Sequence, residues 1–431
     1  MTHKIRIDEI SRVEGHGRIL VEISDGKVID LKLNIFEGPR FFEALALGRK
    51  YDEIPIIMCR ICAICSADHK ITSIMALENA LGVDVSPQTR LLRELYYHGA
   101  IIESHVLHLY FLALPDYLGF SSAAELVPQY SEEVKRALKL KKLGNDIQEL
   151  IAGRPIHGDN PVIGGFSKIP TEQQLLSLKQ QLEKFLEDGE KTILLFAQLE
   201  YPDWIKVPSL FYALEPWGEH YGYFGNKIVS SRGETIPVES YQKICNEQVV
   251  AHSTAKHSEV NGTSFMVGAL ARINLFHQKL MPRAKKLLRN IGWNLPSQNI
   301  LQNNLAQALE VMDSLERASQ IIDELLSYGL KAETLPVIKM KKARGVAATE
   351  APRGTLYHEY GLDENGVIIG ANVITPTAQN LSHLERDLRI VISDQIHLEE
   401  KNIRNHLEMI ARAYDPCISC AAHLVELKID R

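Results

Sequence analysis

Four cysteines stand in two Cys-x-x-Cys pairs near opposite ends of this 431-residue chain. The first pair is Cys62 and Cys65, and the second is Cys417 and Cys420. Two intervening residues let both thiolates of a pair reach one ion. Four thiolates suit a soft metal such as zinc, nickel, or iron in a cluster. The pattern therefore predicts a metal site assembled from both ends of the chain.

On spacing alone, the kind of site stays open. A structural zinc site would use the same four cysteines, although zinc ribbons and fingers close short local loops. A thioredoxin-type redox pair would explain only one Cys-x-x-Cys motif, and neither motif lies in a βαβ pattern. Cys59 would extend the first pair toward an iron–sulfur motif, but we expect Cys59 and Cys245 to be small buried hydrophobes. A catalytic metal is the favoured interpretation.

Composition and charge argue against several other classes of protein. Hydrophobic residues make up 45% of the chain, which is ample for a large core, and the net charge of −6 does not favour a nucleic-acid partner. The start, MTHKIRIDEI, lacks an apolar signal core, and no apolar run approaches the roughly 20 residues of a membrane span. We expect a cytoplasmic protein with reduced cysteines and no membrane span.

The elements that must position the cysteines are mostly helical. Alternating residues predict strands at 4–9, 17–24 and 27–35, with a hairpin turn at Asp25-Gly26. Helical periodicity predicts helices at 69–82, 88–114 (ended by Pro115), 132–152, 171–199, 301–329 and 379–413. Residues 201–245 are expected to form loops with short strands, and residues 352–375 are expected to be strands.

The chain shows no internal repeat and no linker long enough to separate domains. We therefore predict a single domain over residues 1–431, with an N-terminal β region at 1–36. The predicted fold class is α+β, mainly α. It combines a large helical bundle core with a small N-terminal hairpin sheet and short strands near the C-terminus.

Five segments in order resemble the signatures of nickel–iron hydrogenase large (catalytic, alpha) subunits. They are Arg12-Val-Glu14-Gly-His16, Arg60-Ile-Cys62-x-x-Cys65-x-x-x-His69, Glu350-Ala-Pro-Arg353-Gly354, Thr375-Pro376-Thr377-Ala-Gln-Asn380 and Asp415-Pro-Cys417-x-x-Cys420-x-x-His423. The segment from Glu37 to Glu43 and the Cys-Ile-Ser-Cys tail look most like the cytosolic sulfhydrogenase or NAD(P)-linked branch. The resemblance implies an oxidoreductase that reversibly cleaves H2 heterolytically into protons and electrons.

The resemblance also implies a nickel–iron centre. Nickel would bind all four cysteine sulfurs, and Cys65 and Cys420 would bridge to an iron carrying carbon monoxide and cyanide. Thiolates suit this role because they are strong donors that can bridge two metals.

Further residues surround the implied centre. Arg353 would lie beside the open side of the metals and one cyanide, with Asp415 as its charged partner. Thr377, next to Pro376, would donate to the second cyanide. His69 would donate to a bridging sulfur.

Glu14 matches the residue that accepts the proton released from H2, by way of the terminal thiolate of Cys417. A carboxylate suits this step because burial can bring its pKa near neutrality. Taken without the other signatures, Glu14 would instead be expected in a salt bridge with Arg12 or Arg18.

A second metal is implied near the C-terminus. Glu43, His423 and a backbone carbonyl near Val373 match the ligands of a magnesium (or ferrous) ion. Residues 424–431 match an extension that a maturation endopeptidase removes after nickel is loaded.

One departure from the family pattern concerns the active-site canopy. Many members have Asp-His where this chain has Ser104-His105. The adjacent Glu103 is expected to point elsewhere on its helix.

The chain shows no dinucleotide-binding or P-loop motif, so its electrons must pass to other subunits. The resemblance implies a small (delta-type) subunit with iron–sulfur clusters, near which His157 would lie. Diaphorase-type beta and gamma subunits would carry flavin and NAD(P), with NAD(P) or polysulfide as acceptor. The alternatives are a metal-free complex I-like subunit, a lineage that lacks the four cysteines, and a structural zinc protein.

Overall fold

The computed structural model describes residues 2–422. Its strands are β1 Thr2–Ile7, β2 Gly17–Ser24, β3 Lys27–Ile35, β4 Pro161–Val162, β5 Gly165–Phe166, β6 Tyr212–Leu214, β7 Lys227–Ser230, β8 Thr235–Pro237, β9 Asn246–Gln248, β10 His257–Glu259, β11 Ala343–Ala351, β12 Gly354–Leu362 and β13 Ile368–Ile374. Its α-helices are α1 Phe42–Ala46, α2 Ile54–Met58, α3 Ser66–Leu81, α4 Pro87–Leu107, α5 Leu114–Leu118, α6 Ser131–Ala152, α7 Glu172–Ala197, α8 Ala269–Phe276, α9 Pro282–Asn290, α10 Asn303–Tyr328, α11 Pro376–Gln395, α12 Glu400–Ala413 and α13 Ile418–Ala421.

The N-terminal strands form an antiparallel meander in the order β1-β2-β3. Every second residue of β2 is buried, because successive side chains of a strand point to opposite faces. The predicted strands 17–24 and 27–35 are confirmed at their full length, and the first strand begins two residues before the predicted position.

The centre of the molecule is a helical bundle in which α10 packs against both α4 and α7, and α6 packs against α4. Two glycines allow the close approach of α4 and α6. A Cβ at Gly99 would lie 2.9 Å from the Ile147 side chain, and a Cβ at Gly144 would lie 2.7 Å from the backbone of α4. The predicted class, α+β and mainly α, is confirmed. Within residues 2–422, no helix combines the length and apolar character that a membrane span requires.

Two of the predicted helices are wrong in their bounds. The helix predicted over 88–114 does not end at Pro115. It passes through a π-helical turn, His108–Ala113, into α5, where Pro115 occupies the first turn and needs no backbone donor. The helix predicted over 379–413 is two helices, α11 and α12, because the chain leaves helical geometry before Glu399 caps α12.

A second antiparallel sheet, β11-β12-β13, lies near the C-terminal part of the described chain. Its first strand was missed by the sequence analysis, which placed strands only from residue 352. Helix α3 packs on β11 and β12 and is buried on nearly every side, as expected of a helix between a sheet and a bundle. This sheet and α3 position both halves of the site described next.

Candidate metal centre

The two cysteine pairs meet in the interior of the protein. Cys62 and Cys65 lie in the turn that leads into α3, whereas Cys417 caps α13 and Cys420 lies within it. The four Sγ atoms lie within 4.8 Å of one another, and each cysteine is at most 6% exposed. The Sγ–Sγ distance is 3.5 Å between Cys62 and Cys417 and 3.3 Å between Cys65 and Cys420.

These two distances suit thiolates around one ion, whereas the Sγ atoms of Cys417 and Cys420 lie 2.6 Å apart and would have to separate when an ion binds between them. With metal–sulfur bonds of about 2.3 Å, sulfurs at right angles lie about 3.3 Å apart and tetrahedral ones about 3.8 Å apart. Burial raises the pKa of Cys65 to about 11, so the uncompensated pocket disfavours its thiolate. A bound cation would stabilise the thiolate and so offset the effect of burial. The four sulfur donors therefore fit a soft metal.

A small cavity opens beside the sulfurs of Cys65, Cys417 and Cys420. The residues that line it beyond the cysteines are His69, Ala351, Pro352, Arg353, Leu356, Pro376 and Thr377. Structural zinc sites are closed by their four protein ligands, whereas catalytic metal sites keep an open position. The cavity therefore favours a catalytic metal over a structural zinc.

Arg353 is the cation of this cavity and is 4% exposed. Its Nε donates to the carbonyl of Asp415 at 2.7 Å, and its Nη2 lies 3.0 Å from the Asp415 carboxylate. Burial opposes its charge, but Asp415 and the neighbouring thiolates outweigh that effect and hold the pKa of Arg353 well above its usual value. Arg353 therefore places a permanent positive charge beside the sulfurs.

A buried ionic network, which the sequence analysis missed, supports the turn that carries Arg353. Arg272 pairs with Glu310 at 2.6 Å and with Glu350 at 2.8 Å, and its Nη atoms donate to the carbonyls of Ala351 and Pro352 at 3.0 Å. All three charged residues are at most 1% exposed. Because the network fixes the backbone immediately before Arg353, it sets the position of the guanidinium.

Gly354 completes the turn between β11 and β12 with a φ of +132°. A Cβ at this position would lie 2.8 Å from Cβ of Val267 and would overlap its Cγ2. Only glycine fits this backbone without strain. The glycine of the Pro-Arg-Gly sequence is therefore required by the turn itself.

The segment around Pro376 ties the second cysteine pair to this turn. Pro376 begins α11, and the Thr377 hydroxyl accepts a hydrogen bond from Cys417 N at 2.9 Å. That hydroxyl keeps its own hydrogen free to donate toward the cavity that it lines. The amides of Gln379 and Asn380 bond to backbone atoms of Thr355 and Val267, which hold α11 against β12 and the strand-like segment before α8.

Glu14 lies against the second cysteine pair. Its backbone pairs with Cys417 in a parallel bridge, and its carboxylate accepts from Ser419 N at 3.0 Å. The Ser419 hydroxyl donates to Glu37 at 2.7 Å, and neither Ser419 nor Glu37 was given a role in the sequence analysis.

The salt bridge considered for Glu14 is not what the structure contains. Arg12 pairs with Asp116 at 2.5 Å, and Arg18 lies over the ring of Phe36 at 4.3 Å.

Two neighbouring histidines, His69 and His358, lie next to the cysteine cluster. His69 lines the cavity, and its Nδ1 lies 3.0 Å from Nε2 of His358. Burial lowers the pKa of His69 to about 4, so its ring is neutral. A neutral ring can donate from one nitrogen and accept at the other.

In the canopy, Ser104 lies 3.5 Å from Arg353 Nη1. The neighbouring Glu103 bonds to Lys141 and Gln148 of α6, at 2.9 and 2.7 Å. It therefore points away from the centre, as expected.

The residues predicted for a second metal are only partly described. Glu43 is 6% exposed and accepts a hydrogen bond from Val373 N at 2.8 Å, and burial raises the pKa of Glu43. Arg40 N donates to the carbonyl of Ala422, which brings the end of the described chain close to Glu43. The predicted ligand His423 and the predicted extension 424–431 lie outside the described residues.

The other singled-out residues lie around this centre rather than in it. Cys59 and Cys245 are buried free thiols, and their sulfurs bond to the Ile56 carbonyl and to Gln379, at 3.3 and 3.5 Å. His157 N donates to the hydroxyl of Ser66, the residue after Cys65, at 3.2 Å.

Family models account for most of the chain. A model described as Nickel-dependent hydrogenase matches residues 40–194 and 230–423, and one described as HoxL-like matches residues 4–37. Together these matches include all four clustered cysteines, Glu14, Arg353 and Thr377.

Similar proteins match the chain from end to end. Sulfhydrogenase 1 subunit alpha of Pyrococcus furiosus is 43% identical over 424 residues, covering 98% of both chains. Sulfhydrogenase 2 subunit alpha of the same organism is 39% identical, covering 98% of this chain and all of the relative. The NAD-reducing hydrogenase HoxS subunit beta of Cupriavidus necator is 29% identical and covers 98% of this chain and 95% of its own length. The predicted branch of the family is thereby confirmed.

Solved structures share the fold over the same length. An NAD+-reducing NiFe-hydrogenase in its H2-reduced state superposes with a TM-score of 0.87 at 26% identity, covering 98% of this chain and 99% of that chain. The Ni-Fe-Se hydrogenase of D. vulgaris Hildenborough superposes with a TM-score of 0.78 at 23% identity, which supports the fold alone. With these matches, the chain belongs to the nickel-dependent hydrogenase family, as a large subunit of a nickel–iron hydrogenase.

Proposed function

We propose that this subunit cleaves H2 reversibly and heterolytically at a nickel–iron centre held by Cys62, Cys65, Cys417 and Cys420. The observation that carries the proposal is the convergence of four buried sulfurs on one side of a cavity that Arg353 and Thr377 line. When bound, the nickel–iron group, with its carbon monoxide and cyanide ligands, supplies the redox chemistry that separates H2 into protons and electrons.

Arg353 and Thr377 supply the polar surface of the cavity. The guanidinium is held from behind by Asp415, so its remaining N–H groups are available to an anionic ligand such as cyanide. The Thr377 hydroxyl already accepts from Cys417 N, which orients its hydrogen away from that amide. Pro376 begins α11, and His69, which lines the same cavity, is the proposed donor to a cysteine sulfur.

Glu14 is the proposed proton acceptor for the Cys417 sulfur. The backbone pairing of Glu14 with Cys417 brings the two residues side by side. From Glu14, the contact through Ser419 to Glu37 leads toward His16, whose backbone N lies 3.3 Å from Glu37 and whose ring is exposed. For this role, the carboxylate has to reach the sulfur directly or through one water molecule during the reaction.

A second ion, magnesium or ferrous iron, is proposed at Glu43, His423 and a carbonyl near Val373. The buried carboxylate of Glu43 supports it, because burial raises the pKa of Glu43 and a divalent cation would compensate its charge. Such an ion would hold the C-terminal segment in place behind the cysteines. We propose that a maturation endopeptidase removes residues 424–431 when the C-terminal segment closes over the metal centre.

Electrons are proposed to pass to an iron–sulfur small subunit near His157 and onward to flavin-bearing subunits. The names of the relatives support NAD(P) or polysulfide as the acceptor, since they include sulfhydrogenases and an NAD-reducing hydrogenase. The six cysteines are free thiols, which agrees with the cytoplasm as the proposed compartment.

The test is nickel and iron analysis of the purified protein together with infrared spectroscopy. We expect about one nickel per chain and absorption bands of metal-bound carbon monoxide and cyanide. Cys420→Ala should lose nickel and H2 activity, whereas the matched control Cys245→Ala, a buried thiol outside the cluster, should keep both. Zinc as the only metal of an active preparation would refute the proposal.

A further inference from the structure

A second group of metal-binding side chains lies away from the four cysteines. It consists of His252 in the loop before β10, His257 at the start of β10, and Glu385 on α11. Nε2 of His252 lies 2.7 Å from one carboxylate oxygen of Glu385, and Nδ1 of His257 lies 3.9 Å from the other. One ligand atom from each residue lies within 4.8 Å of the other two.

His257 is the least expected member of this group. It is 6% exposed, and Nδ1 is the ring nitrogen that faces Glu385, whereas Nε2, the nitrogen without a hydrogen-bond partner among the described residues, is the other one. Because Nδ1 lies 3.9 Å from the carboxylate, beyond hydrogen-bond distance, it forms no hydrogen bond with Glu385.

We propose that His252, His257 and Glu385 bind a divalent transition-metal ion such as Zn²⁺, Co²⁺ or Ni²⁺. Ligands about 2.0–2.2 Å from such an ion lie roughly 2.9–3.6 Å apart; the observed separations are 2.7 and 3.9 Å, so binding would part His252 slightly from Glu385 and draw His257 toward it. Two imidazoles disfavour Mg²⁺ and Ca²⁺, which prefer oxygen ligands. Because His252 and Glu385 are about one-fifth exposed, water completes the coordination.

The ion would clamp three parts of the fold together. The Glu385 carboxylate already accepts from Leu33 N of β3 at 2.7 Å, and the His252 carbonyl accepts from the Asn34 side chain. Two residues further along the loop, the Thr254 hydroxyl donates to the carbonyl of Glu37 at 2.8 Å. The site therefore joins the loop, α11 and the end of β3, and β3 leads into the segment that contacts Ser419.

We expect the bound ion to fix the loop that carries His252 against the β1-β2-β3 sheet. This role does not depend on H2 chemistry, because none of the three residues touches the cysteine cluster. The holoenzyme is the right material for a test, since its cysteines are already occupied and cannot capture the added ion.

The experiment treats the holoenzyme with EDTA, adds a small excess of Zn²⁺, removes unbound metal by gel filtration, and measures zinc per chain. We expect the wild type to bind one zinc per chain more than Glu385→Gln or His257→Asn, because any zinc taken up at the ion site proposed near Glu43 is the same in all three. The matched control His397→Asn, an exposed histidine just beyond α11, should bind as the wild type does. Unchanged nickel content and H2 activity in each variant show that the fold is intact.

Co²⁺ in place of Zn²⁺ identifies the ligands. We expect weak visible bands of a nitrogen–oxygen site, without the intense charge-transfer bands that thiolate ligands give. No additional metal in the wild type would overturn the proposal, whatever the variants do. Equal uptake by the wild type and Glu385→Gln, or thiolate bands, would also overturn it.

Discussion

Replacing Arg353 by lysine tests whether the guanidinium, rather than positive charge alone, serves the cavity. The guanidinium reaches the Asp415 carbonyl at 2.7 Å, the Asp415 carboxylate at 3.0 Å and the Ser104 hydroxyl at 3.5 Å. Lysine keeps the charge but offers a single ammonium, so it cannot hold Asp415 and also present donors to the cavity. Losing a preorganised donor of this kind costs about 2.7–4 kcal/mol, or roughly 100–1,000-fold in kcat.

The stability of Arg353→Lys should fall less sharply than its activity. Asp415 is 2% exposed and would keep part of its pairing, so we expect the free energy of unfolding to drop by about 1–3 kcal/mol. Steady-state H2 oxidation, nickel and iron content, and thermal unfolding should be measured on the same preparations. The metals should stay bound, because all four cysteines are unchanged.

Arg344→Lys is the matched control for this substitution. Arg344 pairs with Glu359 at 2.6 Å but is 51% exposed and lies outside the cavity, so its replacement should change stability by less than about 1 kcal/mol and leave activity unchanged. If Arg353→Lys kept its full metal content and a turnover near that of the wild type, the several N–H donors of the guanidinium would have no part in the reaction.

Three further substitutions test the surroundings of the site, and a fourth, in the hairpin turn between β2 and β3, is a control. Glu14→Gln should keep the metals and the contact with the backbone of Ser419 but lose H2/D2 exchange, and unchanged exchange would contradict the proton role. Gly354→Ala should destabilise by about 2–6 kcal/mol, from a φ of +132° and overlap with Val267, as measured by denaturant unfolding. Gly26→Ala, with a φ of +69° and open space around its Cβ position, should cost only about 1–2 kcal/mol, and equal losses would contradict the steric argument. Although burial opposes it, Arg272 holds the pKa of Glu310 at about 2, below its ordinary value of 4.5. Glu310→Gln should therefore cost about 3 kcal/mol at neutral pH. Because a depressed carboxyl pKa stabilises the fold above the unfolded-state value, this difference should shrink as the pH falls from 4.5 toward 2, and a constant difference would contradict the assignment.

Local patterns predicted the parts of the fold in which neighbours along the chain decide the structure. The hairpin of β2 and β3 was predicted to the residue, because alternation fixes its faces and Asp25-Gly26 forms its turn with positive φ at both residues. The break between α11 and α12 was not predicted, because no glycine or proline marks residues 396–399. Its cause lies in packing, where α12 turns back against α11.

The candidate site also has parts that the sequence predicted and parts that it did not. The cysteine pairs are visible because each pair is local, and their union across the chain could be inferred from their number and chemistry. The support beneath Arg353 could not be inferred, because Arg272 and Glu310 match no motif and lie many residues from Glu350, the first residue of the Glu350-Ala-Pro-Arg353-Gly354 signature. The cluster of His252, His257 and Glu385 was hidden for the same reason, since only folding brings Glu385 of α11 beside β10.

The placement of the two cysteine pairs also constrains how the protein is made. Cys417 follows Cys62 by 355 positions, and both end in the interior against α3 and α11. At about 5–20 residues per second, a ribosome releases the second pair roughly 20–70 seconds after the first. An ion that arrived in that interval would meet only half of its ligands, and the folding chain would have no C-terminal segment to close over it. The complete set of four sulfur ligands that we propose for the metal therefore exists only after Cys420 has been translated and folded against the first pair.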